Sequence, residues 1–305
     1  DLPFDKDFVT YVWFDALINY LSAIGYDSDE KQFQKWWPPS CQLIGKDILT
    51  THSVYWPTIL KAINLPLPET IFAHGWWLIG KNKMSKSTGN VVDPIKLISR
   101  YGADPFRYFL IAEMTLGQDC NFSEESFIKR YNADLANDLG NLLNRVMKLI
   151  ITHCGGKVPQ AGVLASKTAN EEEALRKTVL NAPETMEKRI KSQQIDPGVF
   201  TVRQVIRETN RYLERRQPWN LSQEEDKELL STILYHGVEA LRIISGLLYP
   251  IMPEKMGLLR KALGLHSERP DMHELRTWGK LKPGTRMGDM ITLFPRIKSN
   301  QKKKV

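Results

Sequence analysis

The sequence predicts an α/β part followed by an all-α part: the second half of a Rossmann-type parallel sheet, then an α-helical bundle. Two observations predict it. Strand-like apolar runs at 11–14, 42–45 and 71–79 alternate with helix-like stretches, the pattern of a parallel sheet with crossover helices. From Ser123 onward the apolar residues recur at helical spacing instead. The 305 residues, 42% of them hydrophobic, suffice for about two domains.

Composition narrows the function classes. The formal net charge of +7 suits an anionic partner such as RNA. Part of that charge sits at the end of the chain, where Arg296, Lys298 and Lys302 to Lys304 read first as a disordered tail. Cys41, Cys120 and Cys154 are far apart and form no C-x-x-C pair, which argues against a disulfide framework or a structural zinc site and for a reducing compartment. No signal peptide is visible, nor an apolar run of the ~20 residues that a membrane helix needs. The sequence lacks a starting methionine and opens on what reads as the end of a buried strand, so a fragment of a longer protein is expected.

In order, Tyr11 to Phe14 reads as strand and runs into a helix with Trp13, Leu17 and Tyr20 on one face. Gln42 to Gly45 reads as strand, with Asp47 able to cap the helix that follows. Ile48, His52 and Trp56 fall at i, i+4 and i+8, and Pro57 is expected to kink or end that helix. Aromatic stripes are usually plain core, and a lone histidine on an apolar face is usually a satisfied core residue. Two such stripes together can wall a cavity for a soft, sulfur-bearing side chain. After the apolar stretch 71–79 comes Lys83-Met84-Ser85-Lys86-Ser87-Thr88-Gly89-Asn90. Lysine, serine and glycine suit a solvated loop, and such a loop can bring ammonium and N–H groups to a phosphate chain.

Pro94 begins a helix that stops at Gly102; Asp104-Pro105 begins another, and Asp119 to Phe122 is short and extended. Ser123 caps a long helix whose buried face runs from Phe127 to Ile150 and ends at Gly155-Gly156. Asn141 and Arg145 are surface neighbours on it, by default merely solvated. Residues 158–169 read as loop. The helix over 171–194 is expected to break at Pro183. The next, from Asp196-Pro197, turns Phe200, Val205, Thr209 and Tyr212 inward and ends at Gln217-Pro218-Trp219. Leu229 to Leu248 is the most apolar helix, a short helix spans Pro253 to Leu263, and 288–296 reads as a last extended piece.

The lysine-serine pentapeptide resembles the second signature of class I aminoacyl-tRNA synthetases. Taken with Tyr11-Val12-Trp13-Phe14-Asp15-Ala16 and Ile44-Gly45-Lys46-Asp47-Ile48, His52 and Trp56, it resembles the methionyl-tRNA synthetase family from about Tyr11 to the end. The resemblance implies four parts: catalytic domain at 1–93, stem-contact fold at 94–122, anticodon-binding bundle at 123–287, and a C-terminal segment and tail at 288–305. It implies catalytic roles for Lys86 and Lys83, and an ATP site of these two with Ser85, Gly45, Asp47, His74 and Gly75. It implies a methionine pocket of Trp13, Leu17, Tyr20, Ile48, His52 and Trp56; Leu17 stands where many members have proline. Asn141, Arg145, Pro218 and Trp219 would read the anticodon, the tryptophan by stacking on a base.

The implied activity is ATP-dependent formation of methionyl-adenylate and transfer of methionine to tRNA(Met), with Mg2+ accompanying ATP and no metal site in this segment. The implied partners are tRNA(Met), methionine and ATP; a monomer in a bacterial cytoplasm or an organellar matrix is expected. The family's His-x-Gly-His signature is absent from the six histidines, so the fragment alone is expected to be inactive. The rival reading is a non-catalytic tRNA-binding module; a sister synthetase for leucine, isoleucine or valine is a weaker one.

Overall fold

The computed structural model describes residues 2–80, 82–84, 91–162, 170–222, 225–265 and 269–298. The chain divides into two compact units. One is Asp1–Trp77 with Gly117–Cys120, and the other is Leu78–Leu116 with Asn121–Val305.

The first unit is built on a parallel pair, β1 (Gln42–Gly45) and β2 (Ile71–His74), in register from Gln42 opposite Ile71 to Gly45 opposite His74. Two helices precede it, α1 (Val12–Ser22) and α2 (Glu30–Trp36). Asp29 caps α2 by accepting from the Gln32 amide at 3.0 Å. The crossover carries a 3-10 turn at Lys46–Ile48, a π turn at Thr51–Tyr55 and α3 (Trp56–Ala62). Leu17, Leu21, Phe33, Trp37, Trp56 and Leu60 form the core. Trp37 stacks on Phe33 at 5.9 Å and meets Trp56 edge-on at 6.0 Å. The buried Trp56 indole N–H donates to Gln42 Oε1 at 3.1 Å, so the helix is tied to the strand by a satisfied polar contact.

Two expectations fail here, and a third, that Pro57 kinks or ends its helix, fails as to the end. The run Tyr11 to Phe14 is not strand: helix begins at Val12, and Tyr11, Val12 and Phe14 are exposed. A short apolar run does not reveal its own period, and the residues α1 buries are Leu17 and Leu21. Asp47 caps no helix; the residue before the turn is Gly45, without a side-chain cap, and the Asp47 carboxylate accepts from Trp76 Nε1 at 3.4 Å. Pro57 does not end the helix but sits in the first turn of α3. The π turn just before it is one residue wider, which absorbs the ring and the missing N–H.

The second unit begins within β3 (Trp77–Ile79), which pairs antiparallel with β4 (Asn82–Lys83), with Leu78 opposite Lys83 and Gly80 at φ +63° in the turn. Lys83, expected in a loop, is therefore in a strand. Ser85 and Lys86, and the loop through Asn90, lie outside the described residues, as does the lysine tail at 302–304. Within this unit, Phe122 N, just past β5 (Cys120–Asn121), donates to Leu78 O at 2.8 Å.

Helix α4 (Pro94–Tyr101) is capped by Asp93 and stopped by Gly102 at φ +90°, and α5 (Ala103–Glu113) follows. The long helix after Ser123 is three segments end to end: α6 (Glu124–Arg130), a π stretch at Tyr131–Gly140, and α7 (Asn141–Cys154). Ser123 Oγ caps it from the Ser126 amide at 3.0 Å, and Gly155 in the left-handed region ends it. α8 (Asn170–Lys191) runs unbroken through the buried Pro183, against expectation. Packing on α9 (Ile195–Arg216) holds it: a Cβ on Gly198 would lie 3.3 Å from Ile190 Cγ1 and 3.6 Å from Met186 O. Tyr212 Oη also reaches across to Glu172 at 2.9 Å. Phe200 is 47% exposed rather than inward. Val199, Val202, Val205, Ile206 and Thr209 make the buried face of α9, and Phe200 lies about 100° round from Val199.

α10 (Lys227–Leu248) is buried along most of its length, and α11 (Pro253–Ala262) and α12 (Met272–Leu275) follow. The last segment folds back onto the bundle without becoming strand. Leu293 and Phe294 are buried, and Asn132 exchanges two hydrogen bonds with the Ile297 backbone, at 2.8 and 2.9 Å. In the centre of α10, Glu239 is sealed from solvent. It accepts from Arg242 at 2.7 and 2.9 Å and from the amides of Gly279, Lys280 and Leu281 at 2.8 to 3.2 Å. Glu239→Ala leaves the buried Arg242 without its carboxylate and is expected to cost about 3–5 kcal/mol, read as a lower denaturant midpoint. An unchanged midpoint would remove Glu239 from the framework.

Candidate functional site

In the first unit, α1 presents Trp13, Leu17 and Tyr20 toward the crossover, where Ile48, His52 and Trp56 follow one another along the turn and helix. The Trp13 and Tyr20 rings each lie 5.7 Å from the His52 ring, and Tyr20 lies 5.7 Å from Trp56. His52 is 1% exposed. Its Nδ1 lies 2.9 Å from the Ile48 carbonyl, which can only accept, so Nδ1 carries the proton. Nε2 lies 3.0 Å from Tyr20 Oη, so the second nitrogen is hydrogen-bonded as well. Leu17 and Trp56 are fully buried and form the floor, whereas Trp13 and Ile48 are half-buried and Tyr20 reaches the surface. The arrangement is an aromatic surface whose buried imidazole has both nitrogens occupied by hydrogen bonds. Of these six residues, Tyr20 alone also lines the neighbouring cavity of about 350 Å3, with Ile24, Trp37, Cys41 and Gln42.

A second group stands at the carboxyl ends of the two parallel strands, where open α/β sheets bind their ligands. Gly45 and His74 face each other in register there, and Gly75 follows. His74 Nδ1 donates to the Gly75 carbonyl at 2.8 Å. Gly75 is required sterically: a Cβ would lie 2.2 Å from the Gln118 carbonyl. The segment that crosses it brings Asp119 against Lys46. Their charges meet at 2.7 Å, the Lys46 ammonium sits 4.1 Å over the Trp76 ring, and the Trp76 amide donates to Asp119 at 2.9 Å. These contacts, Lys46 first, hold the Asp119 carboxyl below the usual carboxylate range. Lys46, Trp76 and Asp119 escaped the sequence reading. Asp119 is 73 residues from Lys46, and nothing local signals the pairing.

In the second unit, Arg145 on α7 and Trp219, on the 3-10 turn Pro218–Asn220, come together. The guanidinium carbon lies 4.8 Å from the indole ring centre. Gln217, at φ +44°, reverses the chain after α9, Pro218 is buried, and Trp219 remains 43% exposed. Arg145 Nη2 also contacts Glu214 Oε1 at 2.8 Å. Arg145, Lys148, His153, Glu214 and Trp219 border a cavity of about 450 Å3. Asn141 is not among its walls; it borders a separate depression of about 300 Å3 with Asn137, Asn144 and Arg296. Glu214 carried no signal in the sequence, being one of several charges near the end of α9.

Residues 1–147 match the family model described as tRNA synthetases class I (M), and residues 158–305 match the anticodon binding domain of methionyl tRNA ligase. The methionine–tRNA ligase of Halalkalibacterium halodurans is 40% identical over 97% of this chain and 45% of its own length. That of Caldanaerobacter subterraneus is 41% identical over 97% and 46%. The chain thus spans about half the length of the curated relatives it matches. The Mycobacterium tuberculosis methionyl-tRNA synthetase in complex with methionyl-adenylate superposes with a TM-score of 0.89. It is 36% identical over 97% of this chain and 58% of that one.

The His52 geometry makes a direct prediction. The Ile48 carbonyl requires a proton on Nδ1, so 15N spectra show Nδ1 as a protonated nitrogen. Tyr20→Phe leaves the buried Nε2 without its partner, at about 1–3 kcal/mol, seen as a lower melting temperature. An unprotonated Nδ1 would contradict the assignment.

Proposed function

Because this chain belongs to the class I tRNA synthetase family of the methionyl type, we propose that it supplies the methionine pocket, the phosphate-binding loop and the anticodon-binding bundle of a methionine–tRNA ligase. The observation that carries the proposal is the joining of Trp13, Tyr20, His52 and Trp56 over a floor of buried Leu17. A thioether is soft and polarisable and packs well against ring edges. An imidazole whose two nitrogens are both hydrogen-bonded within the protein leaves no free donor or acceptor for a polar rival.

In the proposed reaction a methionine carboxylate oxygen attacks the α-phosphorus of Mg-ATP. The new P–O bond forms as the bond to pyrophosphate breaks. Lys86, aided by Lys83 and Ser85, holds the charge that builds on the departing pyrophosphate, and so favours the transition state over bound ATP. Gly45, Asp47, His74 and Gly75 seat the nucleoside end of the adenylate at the strand termini. A terminal ribose hydroxyl of tRNA(Met) then attacks the methionyl carbonyl and releases AMP. Asn141, Arg145, Pro218 and Trp219 select the CAU anticodon. We assign residues 1–93 to the catalytic half, 94–122 to the stem-contact fold, 123–287 to the anticodon-binding bundle and 288–305 to the C-terminal segment. The work is done by a monomer in a bacterial cytoplasm or organellar matrix. No helix among the described residues is long and apolar enough to cross a membrane.

A second reading, a tRNA-binding module without chemistry, draws support from the Arg145–Glu214–Trp219 site, all of whose members belong to one compact unit.

Methionine-dependent pyrophosphate exchange separates the readings. The 305 residues alone, which lack the His-x-Gly-His signature, are expected to give none, and adding the amino-terminal half of a relative is expected to restore it. Lys86→Ala in the restored enzyme should then lower the rate by about 10²–10³. Exchange driven by leucine and not methionine would overturn the assignment. Trp219→Ala should weaken CAU-bearing RNA by about 1–3 kcal/mol and spare pyrophosphate exchange. Equal loss of both would remove Trp219 from the reading set.

A further inference from the structure

Trp76 joins two groups of side chains within the first unit. On one side stand Lys46 and Asp119. The Trp76 amide donates to Asp119 Oδ1 at 2.9 Å, and the Lys46 ammonium rests 4.1 Å over the indole ring. The same ammonium meets both Asp119 oxygens, at 2.6 and 2.7 Å. On the other side stands Asp47, whose Oδ1 accepts from the indole N–H at 3.4 Å.

Asp47 is placed from a second direction as well. A Cβ on Gly45 would lie 2.6 Å from Asp47 Oδ1 and 4.0 Å from His74 Cε1. The carboxylate therefore folds back over the end of β1, into space that a side chain at position 45 would take. An ionised carboxylate accepts and donates nothing, so it suits hydroxyl groups, and a ribose presents two adjacent ones. The direction of its oxygens decides whether it meets them. Asp47 is exposed, and an exposed side chain turns freely unless something holds it. The indole N–H is a donor only, so it fixes where one oxygen points and with it the plane of the group. At 3.4 Å the contact is long for a hydrogen bond, as contacts in an active site often are before substrate arrives. The ring is in turn clamped by Lys46 and Asp119. Their side chains are 37% and 34% exposed, and an ion pair of this kind adds little to stability. Its effect is on the ring that it orients.

We infer that Trp76 is a positioning residue for nucleotide binding. Its indole N–H aims the Asp47 carboxylate at a ribose hydroxyl of ATP, and the Lys46–Asp119 pair holds the ring in the orientation that does so. The inference rests on the nucleoside-seating role proposed above for Asp47. It makes discrimination for the ribose depend on a side chain that acts through another.

The test is pyrophosphate exchange by the restored enzyme at saturating methionine, with ATP, 2′-deoxy-ATP and 3′-deoxy-ATP compared. Trp76→Phe keeps a ring under Lys46 and removes the N–H. It should raise the KM for ATP by about tenfold, the effect of one hydrogen bond to a charged group, with kcat nearly kept. The deoxy analogue that lacks the hydroxyl met by Asp47 should keep its KM, so the preference for ATP over that analogue falls. In an Asp47→Ala background, where the preference is already lost, Trp76→Phe should add nothing. Asp119→Ala removes the acceptor of both the Trp76 amide and Lys46. It should shift the same ratio in the same direction, and it carries the test should Trp76→Phe melt lower. A side chain that merely supports the fold would lower kcat for all three nucleotides alike. An unchanged ratio in either variant, or a Trp76→Phe effect as large without Asp47 as with it, overturns the role of Trp76 alone. Full preference for ATP in Asp47→Ala itself overturns the seating role on which the inference rests.

Discussion

A carboxylate closed off from water must be answered by cations and N–H donors, and the second unit is arranged around that demand. Glu239 and Asp134 are two of its centres. Glu239 gathers Arg242 from its own helix and three successive amides at 279–281, so the loop after α12 is fastened to the most buried helix. Asp134 sits in the π stretch and takes Arg203 at 2.7 Å, Arg130 at 3.3 Å and the Tyr108 hydroxyl at 3.1 Å. It thereby ties together α5, the stretch before α7, and α9. Burial and the neighbouring Asp134 charge together push the Tyr108 hydroxyl far above its ordinary range, so it remains a donor at any physiological pH. Removing one member of such a group costs more than the group as a whole adds.

The first unit meets the same demand on a smaller scale. His52 is as buried as the leucines around it, and it is tolerated because Ile48 and Tyr20 occupy its two nitrogens. That satisfaction leaves neither nitrogen open to a ligand. Specificity for a soft side chain would thus follow from the packing that buries the ring.

Legibility in the sequence tracked locality. Helix ends written in prolines, caps and glycines were readable: Pro94, Ser123, Gly102 and Gly155 all stand at the boundaries they signal. So was the shared face of Trp13, Leu17 and Tyr20 with Ile48, His52 and Trp56, since both stripes have helical spacing. What failed depended on partners distant in sequence. Pro183 looks like a break until α9 packs against it, and Pro57 looks like a stop until the turn before it widens. Phe200 looks inward until the whole buried face of α9 is laid out. Glu214 and Asp119 gain meaning only from an arginine and a lysine that lie 69 and 73 residues away in the sequence. The residues of the lysine loop from Ser85 to Asn90 stay where sequence left them, as a chemical argument about phosphate.

The π stretch at Tyr131–Gly140 has a consequence for how α7 is aimed. Residues added to or removed from a continuous helix rotate everything downstream by roughly 100° each. Losing one residue there would leave the helix unbroken, with its hydrogen bonds regular, and yet swing Arg145 to another side of the cylinder, out of reach of Glu214 and Trp219. The direction in which α7 points its polar side chains is therefore stored as a length.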